Sequence, residues 1–208
     1  IRDRRGAAQL LEREIREDAL HEYTQIIIAE ADRLRALMDN MLGPNKPPSI
    51  QAINIHQVLE RVCDLVTAEV GKQLKFHQDY DPSLPDVQAD RDMLVQALLN
   101  IVRNAAQALG NSGDIMLRTR VQRNFNIGAC RHRLVARIQV IDNGPGIDEA
   151  LRKQIFYPMI TGRSDGTGLG LSIAQSLISR HQGLIECTSE PGKTVFTILL
   201  PLEGKHES

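Results

Sequence analysis

The chain has 208 residues, 42% hydrophobic and 25% charged, the composition of a folding globular chain rather than a disordered one. Its 25 lysines and arginines nearly cancel its 26 aspartates and glutamates, so the net charge of -1 gives no global attraction to nucleic acid or an anionic membrane. Cys63, Cys130 and Cys187 are odd in number and far apart, which points away from a disulfide framework or a zinc site and towards a reducing cytoplasm; no apolar run reaches the length of a membrane span.

Ala8, Leu11 and Ile15, then Ile27, Ala31, Leu34, Met38 and Met41, recur at steps of three and four, the seam of packed helices. "REDAL" interrupts them, with Asp18 placed to cap the second helix. The spacing predicts a helical hairpin over residues 1–45. Its apolar seam needs a partner, so a homodimeric four-helix bundle is expected; the plainer arrangement is a helical pair packed on its own domain. "GPNKPPSIQA" ends the helix and marks a linker near residues 43–49.

A second domain is expected over residues 49–203. It begins with a short strand about "AINI", a helix from about 56 to 70, a strand near "LKFHQDY" and a helix from about 90 to 109. "DIMLRTRVQ" and "HRLVARIQVID" alternate apolar with polar residues around a loop containing Gly128, the pattern of an antiparallel pair. A helix ending near His181 leads into "LIECTSE" and "TVFTILLP", a second hairpin. The fold class is α+β, with helices covering one face of a mostly antiparallel sheet.

Three clusters in this domain carry chemistry: "LLNIVRNAAQAL" (98–109), "DNGPGI" (142–147) and "GTGLGL" (166–171). Asn100 and Asn104 lie four apart on one helix face, where their amides can meet a hard cation or a phosphate. Asp142 closes a strand; its carboxylate can accept an exocyclic amino group, while Gly144 and Gly146 leave room for a flat ring beside the backbone. Gly166, Gly168 and Gly170 precede a helix, whose free N–H groups favour phosphate. Each cluster alone also reads as a turn or a cap; together and in this order they specify a purine nucleoside triphosphate with magnesium.

The ordered set resembles the ATP-binding domain of sensor histidine kinases, within the wider gyrase, Hsp90 and MutL group. "LLNIVRNA" is similar to that family's N box, "DNGPGI" to its first glycine box, "FYPMITGR" to its F box and the start of its lid, "GTGLGLSIA" to its second glycine box, and "GKTVFTILLP" to its closing hairpin. "RGAAQLLERE" and "IIAEADRLRALMDNMLGP" resemble the nitrogen-regulation branch of these kinases. The resemblance implies that Asn104 binds Mg2+, that Asn100 lies near the phosphates of ATP, and that Asp142 reads adenine. It implies further that Gly144 and Gly146 form the first glycine box, that Gly166, Thr167, Gly168, Leu169 and Gly170 form the second, and that Thr194 supports the adenine end. Arg163 is added as a γ-phosphate contact on charge and location.

In hydrolysing relatives a glutamate base stands four residues before the magnesium asparagine. Here that residue is Asn100, and a carboxamide is no general base at neutral pH. Phosphoryl transfer is therefore expected over hydrolysis, with a stand-alone ATPase and a non-catalytic dimerisation or adaptor module as alternatives. The family's phosphoacceptor histidine motif does not occur before residue 21; it is expected upstream of residue 1, so this chain alone is not expected to autophosphorylate, and no catalytic residue is assigned. His21 in "HEYTQ" mimics the motif but lacks its proline. Arginines 118, 120, 123, 131, 133 and 137 lack interleaved aromatics and read as a solvated sheet face or a protein contact rather than a nucleic-acid site. The resemblance implies two partners, an NtrC-type response regulator and a PII signalling protein.

Overall fold

The computed structural model describes residues 48–71, 74–110, 112–162 and 166–202. The hairpin expected over 1–45, with His21, and the lid residue Arg163 lie outside them.

Strand β1 (Gln51–Ile53) precedes helix α1 (Ile55–Val70), which Asn54 caps by accepting the N–H of His56 at 3.0 Å. Strands β2 (Leu74–Asp79) and β3 (Val87–Ala89) lead into α2 (Arg91–Leu109). Asp90 caps α2 by accepting the N–H of Met93 at 3.1 Å, and its other oxygen accepts that of Ser49 at 2.8 Å. The long hairpin β4 (Gly113–Ile127) and β5 (Cys130–Asp142) follows, then the single turn α3 (Glu149–Arg152), α4 (Gly170–Arg180), β6 (Leu184–Glu190) and β7 (Lys193–Pro201).

Five strands form one sheet in the order β2-β4-β5-β7-β6, and β1 pairs antiparallel with β3 beside it. The expected hairpins are present, with β5 antiparallel to both β4 and β7. The edge strand β2 departs from the antiparallel pattern, running parallel to β4 because α2 carries the chain across between them. Alternation along β5 turns Ala136, Ile138, Val140 and Asp142 to the helical side, level with Leu200, Ile198, Phe196 and Thr194 of β7. The apolar members of this set join Leu94, Leu98, Ile101, Val102 and Ala105 of α2 in one core; full burial of a side chain such as Leu98 contributes about 1.5–3 kcal/mol. On the opposite face Arg118 and Arg120 each donate to Asp79 at 2.7 Å.

Buried His181 joins the two helices that carry site residues. Its Nδ1 donates to the carbonyl of Leu177 at 2.7 Å, which leaves Nε2 to accept the N–H of Asp90 at 3.0 Å. The end of α4 is thereby fixed to the start of α2.

Candidate functional site

Helix α2 places one face in the core and the other along a cleft. Ile101, Val102 and Ala105 are fully buried, whereas Asn100 and Asn104, one turn apart, are only half-buried. Gly170, the first residue of α4, packs against Asn100, where an added methyl group would lie 3.9 Å from Asn100 Cβ. Two turns further along α2, near its C-terminus, a methyl group on Gly144 would lie 3.7 Å from Ala108 Cβ. The second glycine cluster thus meets α2 at Asn100, the first meets it two turns later, and Asn104 stands midway. Eight residues of helix span roughly 12 Å, the reach of a nucleotide from its base to its terminal phosphates.

Asp142 ends β5 almost fully buried, at 2% exposure, and is level with Thr194 on β7. Burial pushes its carboxyl above the usual aspartate range, and the N–H of Gly144, donated at 3.0 Å, opposes part of that shift. Nearby burial pushes the Cys187 thiol up to about 12, aided by the Asp142 charge and opposed by Arg152, so it stays neutral. A methyl group on Gly144 would approach Asp142 Oδ1 to 2.7 Å, so this turn requires a glycine beside the carboxylate.

The β6–β7 turn supports the loop after Asp142 from one side. Gly192 donates its N–H to the carbonyl of Gly144 at 2.9 Å, and Ile147 donates to Ser189 Oγ at 2.8 Å. Ser189 also pairs with Thr194 Oγ1 at 2.9 Å. Gly146 has φ +87 and lies so close to the carbonyl of Glu190 that a methyl group would reach 2.8 Å from it. The second cluster is held by the F-box segment, in which Met159 donates its N–H to the carbonyl of Gly168 at 3.0 Å. Thr167 Oγ1 accepts the N–H of Leu169 at 3.4 Å, and Leu169 is buried behind the turn. Gly166 is half-buried at the start of this turn.

Asn100 Nδ2 is buried without a hydrogen-bond partner. Such a donor is costly to leave unpaired, and this one stands beside the N-terminus of α4, where anions are favoured. Asn104 offers the hard carboxamide oxygen a magnesium ion takes. A cavity of about 610 Å3 opens at the Gly144 end, lined by Ala108, Leu109, Asp114, Asn143, Gly144 and Lys75 among others. It borders the Asp142 loop without including Asp142, Asn100 or Asn104 in its walls.

The sequence model of the histidine kinase-, DNA gyrase B- and HSP90-like ATPases matches residues 89–204. The chain belongs to that ATPase family. The chain is 52% identical over 200 residues to the sensory histidine kinase/phosphatase NtrB of Vibrio alginolyticus, covering 95% of this chain and 57% of that protein. The NtrB of Klebsiella oxytoca is 54% identical over 199 residues with the same coverage. The chain therefore spans little more than half the length of these curated relatives. Among solved structures, histidine kinase ThkA in complex with the response regulator TrrA superposes with a TM-score of 0.68 at 26% identity, covering 95% of this chain and 56% of ThkA. Full-length ShkA in complex with AMPPNP gives 0.66 at 25% identity, covering 96% of this chain and 42% of ShkA.

The structure thus gathers Asn100, Gly166, Thr167, Gly168, Leu169 and Gly170 at one end of the cleft, with Asn104 midway along it. Asp142, Gly144, Gly146 and Thr194 stand at the other. Sequence reasoning missed Ser189, Asn143 and Asp114. Ser189 lies in an ordinary strand and acquires its contacts only through the hairpin, whereas Asn143 was visible inside "DNG" but read as a turn residue.

Proposed function

We propose that this chain is the ATP-binding core of a cytoplasmic sensor histidine kinase of nitrogen regulation. The observation that carries the reading is α2 itself, which joins a buried acceptor at one end of the cleft to an unpaired amide and a helix N-terminus at the other. Asp142 accepts the amino group of adenine, supported by Thr194, and Gly144 and Gly146 admit the ring. Asn100 and the turn from Gly166 to Gly170 receive the phosphates, with Arg163 an additional contact for the γ-phosphate. Asn104 holds magnesium, which when bound neutralises phosphate charge.

With a carboxamide at position 100, these residues orient ATP without activating a water, so the γ-phosphoryl passes to a histidine of the whole protein. From there it moves to an aspartate of an NtrC-type response regulator, whose dephosphorylation the protein also promotes. The similarity to NtrB and to a kinase solved with its regulator supports that partner. A PII protein restrains the kinase, and residues 1–45 pair with a second copy in a homodimer; the apolar seam supports the latter. Among the described residues no helix is long and apolar enough to cross a membrane.

Calorimetry of the chain with ATP, with and without magnesium, tests the site. Magnesium-dependent binding is expected to weaken on the order of tenfold in Asn104→Ala, the scale of one lost charge-assisted contact. A histidine-bearing fragment is then added with labelled ATP. Label on the fragment supports the kinase, whereas release of free phosphate alone supports an ATPase. A folded chain that binds no nucleotide overturns the reading.

A further inference from the structure

The loop that carries the first glycine box is held on its second side by a chain of polar contacts leading to the sheet edge. Asp142 and Ile115 form the last pair of the β4–β5 ladder. Beyond them Asn143 and Asp114 continue the pairing through three bonds. Asp114 donates its N–H to Asn143 Oδ1 at 2.9 Å, Asn143 Nδ2 donates to Asp114 Oδ2 at 3.2 Å, and the N–H of Asn143 reaches the carbonyl of Asp114 at 3.4 Å. The remaining carboxylate oxygen, Asp114 Oδ1, pairs with His77 Nε2 of the edge strand β2 at 2.7 Å. Gly113 leaves the space this requires, since a methyl group there would lie 3.0 Å from Asn143 Oδ1 and 2.5 Å from Leu109 Cδ2.

Asn143 stands between Asp142 and Gly144, the two residues joined by the Gly144 N–H to Asp142 Oδ1 bond. Fixing Asn143 therefore fixes both the direction of the Asp142 carboxylate and the donor that holds it. Among the described residues, none of these hydrogen bonds reaches Asn100 or the turn from Gly166 to Gly170, two helical turns away along α2. We propose that Asp114, seconded by His77, is a positioning and specificity-determining residue: through Asn143 it aims the Asp142 carboxylate at the base. The inference rests on the reading of the cleft as a nucleotide site.

Its consequence is selective. Loosening Asp114 blurs discrimination between an amino group and a carbonyl on the purine more than it weakens contacts to the phosphates, because hydrogen-bond readout depends on tight placement of the acceptor. Dissociation constants for ATP and GTP, measured on the full chain with magnesium, together with the melting temperature, provide the test. Asp114→Ala is expected to weaken ATP on the order of tenfold and GTP much less, narrowing their ratio. Asp114→Asn keeps an oxygen for Asn143 Nδ2 and should restore most of the ratio. His77→Leu, on an exposed strand edge, removes only the outermost link and should narrow the ratio by about two- to threefold.

Wild-type binding of ATP with an unchanged ATP-to-GTP ratio in both Asp114→Ala and His77→Leu overturns the inference, as does a lowered melting temperature with no change in ratio. Absence of ATP binding by a folded wild-type chain instead overturns the nucleotide-site reading itself.

Discussion

At the scale of single residues, the carboxylate assigned to read the base works against the fold that holds it. Asp142 is buried, and burial holds its folded pKa above the ordinary value of about 4. Between those two values the folded chain binds a proton that the unfolded chain has released. Stability therefore falls as pH rises through that window and stays lowered above it. Asp142→Asn removes this penalty. Without nucleotide, the variant is expected to melt above wild type at pH 7, and the gain should vanish below the ordinary aspartate range, where the wild-type carboxyl is neutral in both states. The same variant should lose its preference for ATP over GTP, because an amide presents a donor as well as an acceptor. Thermal melts at the two pH values, with paired titrations at pH 7, check both halves. A variant less stable than wild type at pH 7 would show that the Gly144 bond outweighs burial.

At the scale of elements, the site is made where chain segments end against one another. The second glycine turn meets the F-box segment at a point where both backbones are left-handed, with φ +66 at Gly168 and φ +67 at Met159. A methyl group on Gly168 would lie 2.6 Å from the carbonyl carbon of Met159. Gly168→Ala thus combines an unfavourable backbone conformation, about 1–2 kcal/mol, with an overlap against backbone that has little room to move. Gly128→Ala, at φ +58 with nothing within 4 Å, meets only the conformational cost. Urea unfolding should show the larger loss for Gly168→Ala, and that variant alone should also weaken nucleotide binding. Equal losses would mean that Met159 gives way freely. The elements that build this contact were legible in the sequence, since the glycine run stood directly before an amphipathic helix. The contact was not, because nothing in "FYPM" announces that Met159 adopts a left-handed backbone and bonds to a residue nine positions later.

At the scale of the molecule, the three chemical clusters were legible because each is local: an i, i+4 pair on a helix, an aspartate at the end of an alternating strand, and glycines ahead of a helix. Their assembly is non-local. The parallel pairing of β2 with β4 joins residues 39 apart, the link from His77 through Asp114 to Asn143 joins residues 37 and 29 apart, and the crossover through α2 brings these strands together. The three-residue strand β3, preceded by "DPSLPD", gave no alternation to read and exists through its pairing with β1. A cleft assembled in this way from the C-terminal half of α2, the start of α4, the β5 terminus and the β6–β7 turn exists only in the folded state, so its ligand must stabilise the whole unit that begins at Pro48. At one hundred times its dissociation constant a ligand specific to the folded state adds about 2.7 kcal/mol, which for a domain of this size corresponds to a rise in Tm of roughly 5–11 °C. Magnesium and ATP together are expected to produce that rise in the wild-type chain. ATP without magnesium should produce less of it, because the phosphates then lack the cation that Asn104 is proposed to hold, and Asn104→Ala should erase the difference between the two conditions. If magnesium adds the same increment to Asn104→Ala as to wild type, the ion is held elsewhere, and the proposed placement of the phosphates along α2 fails with it.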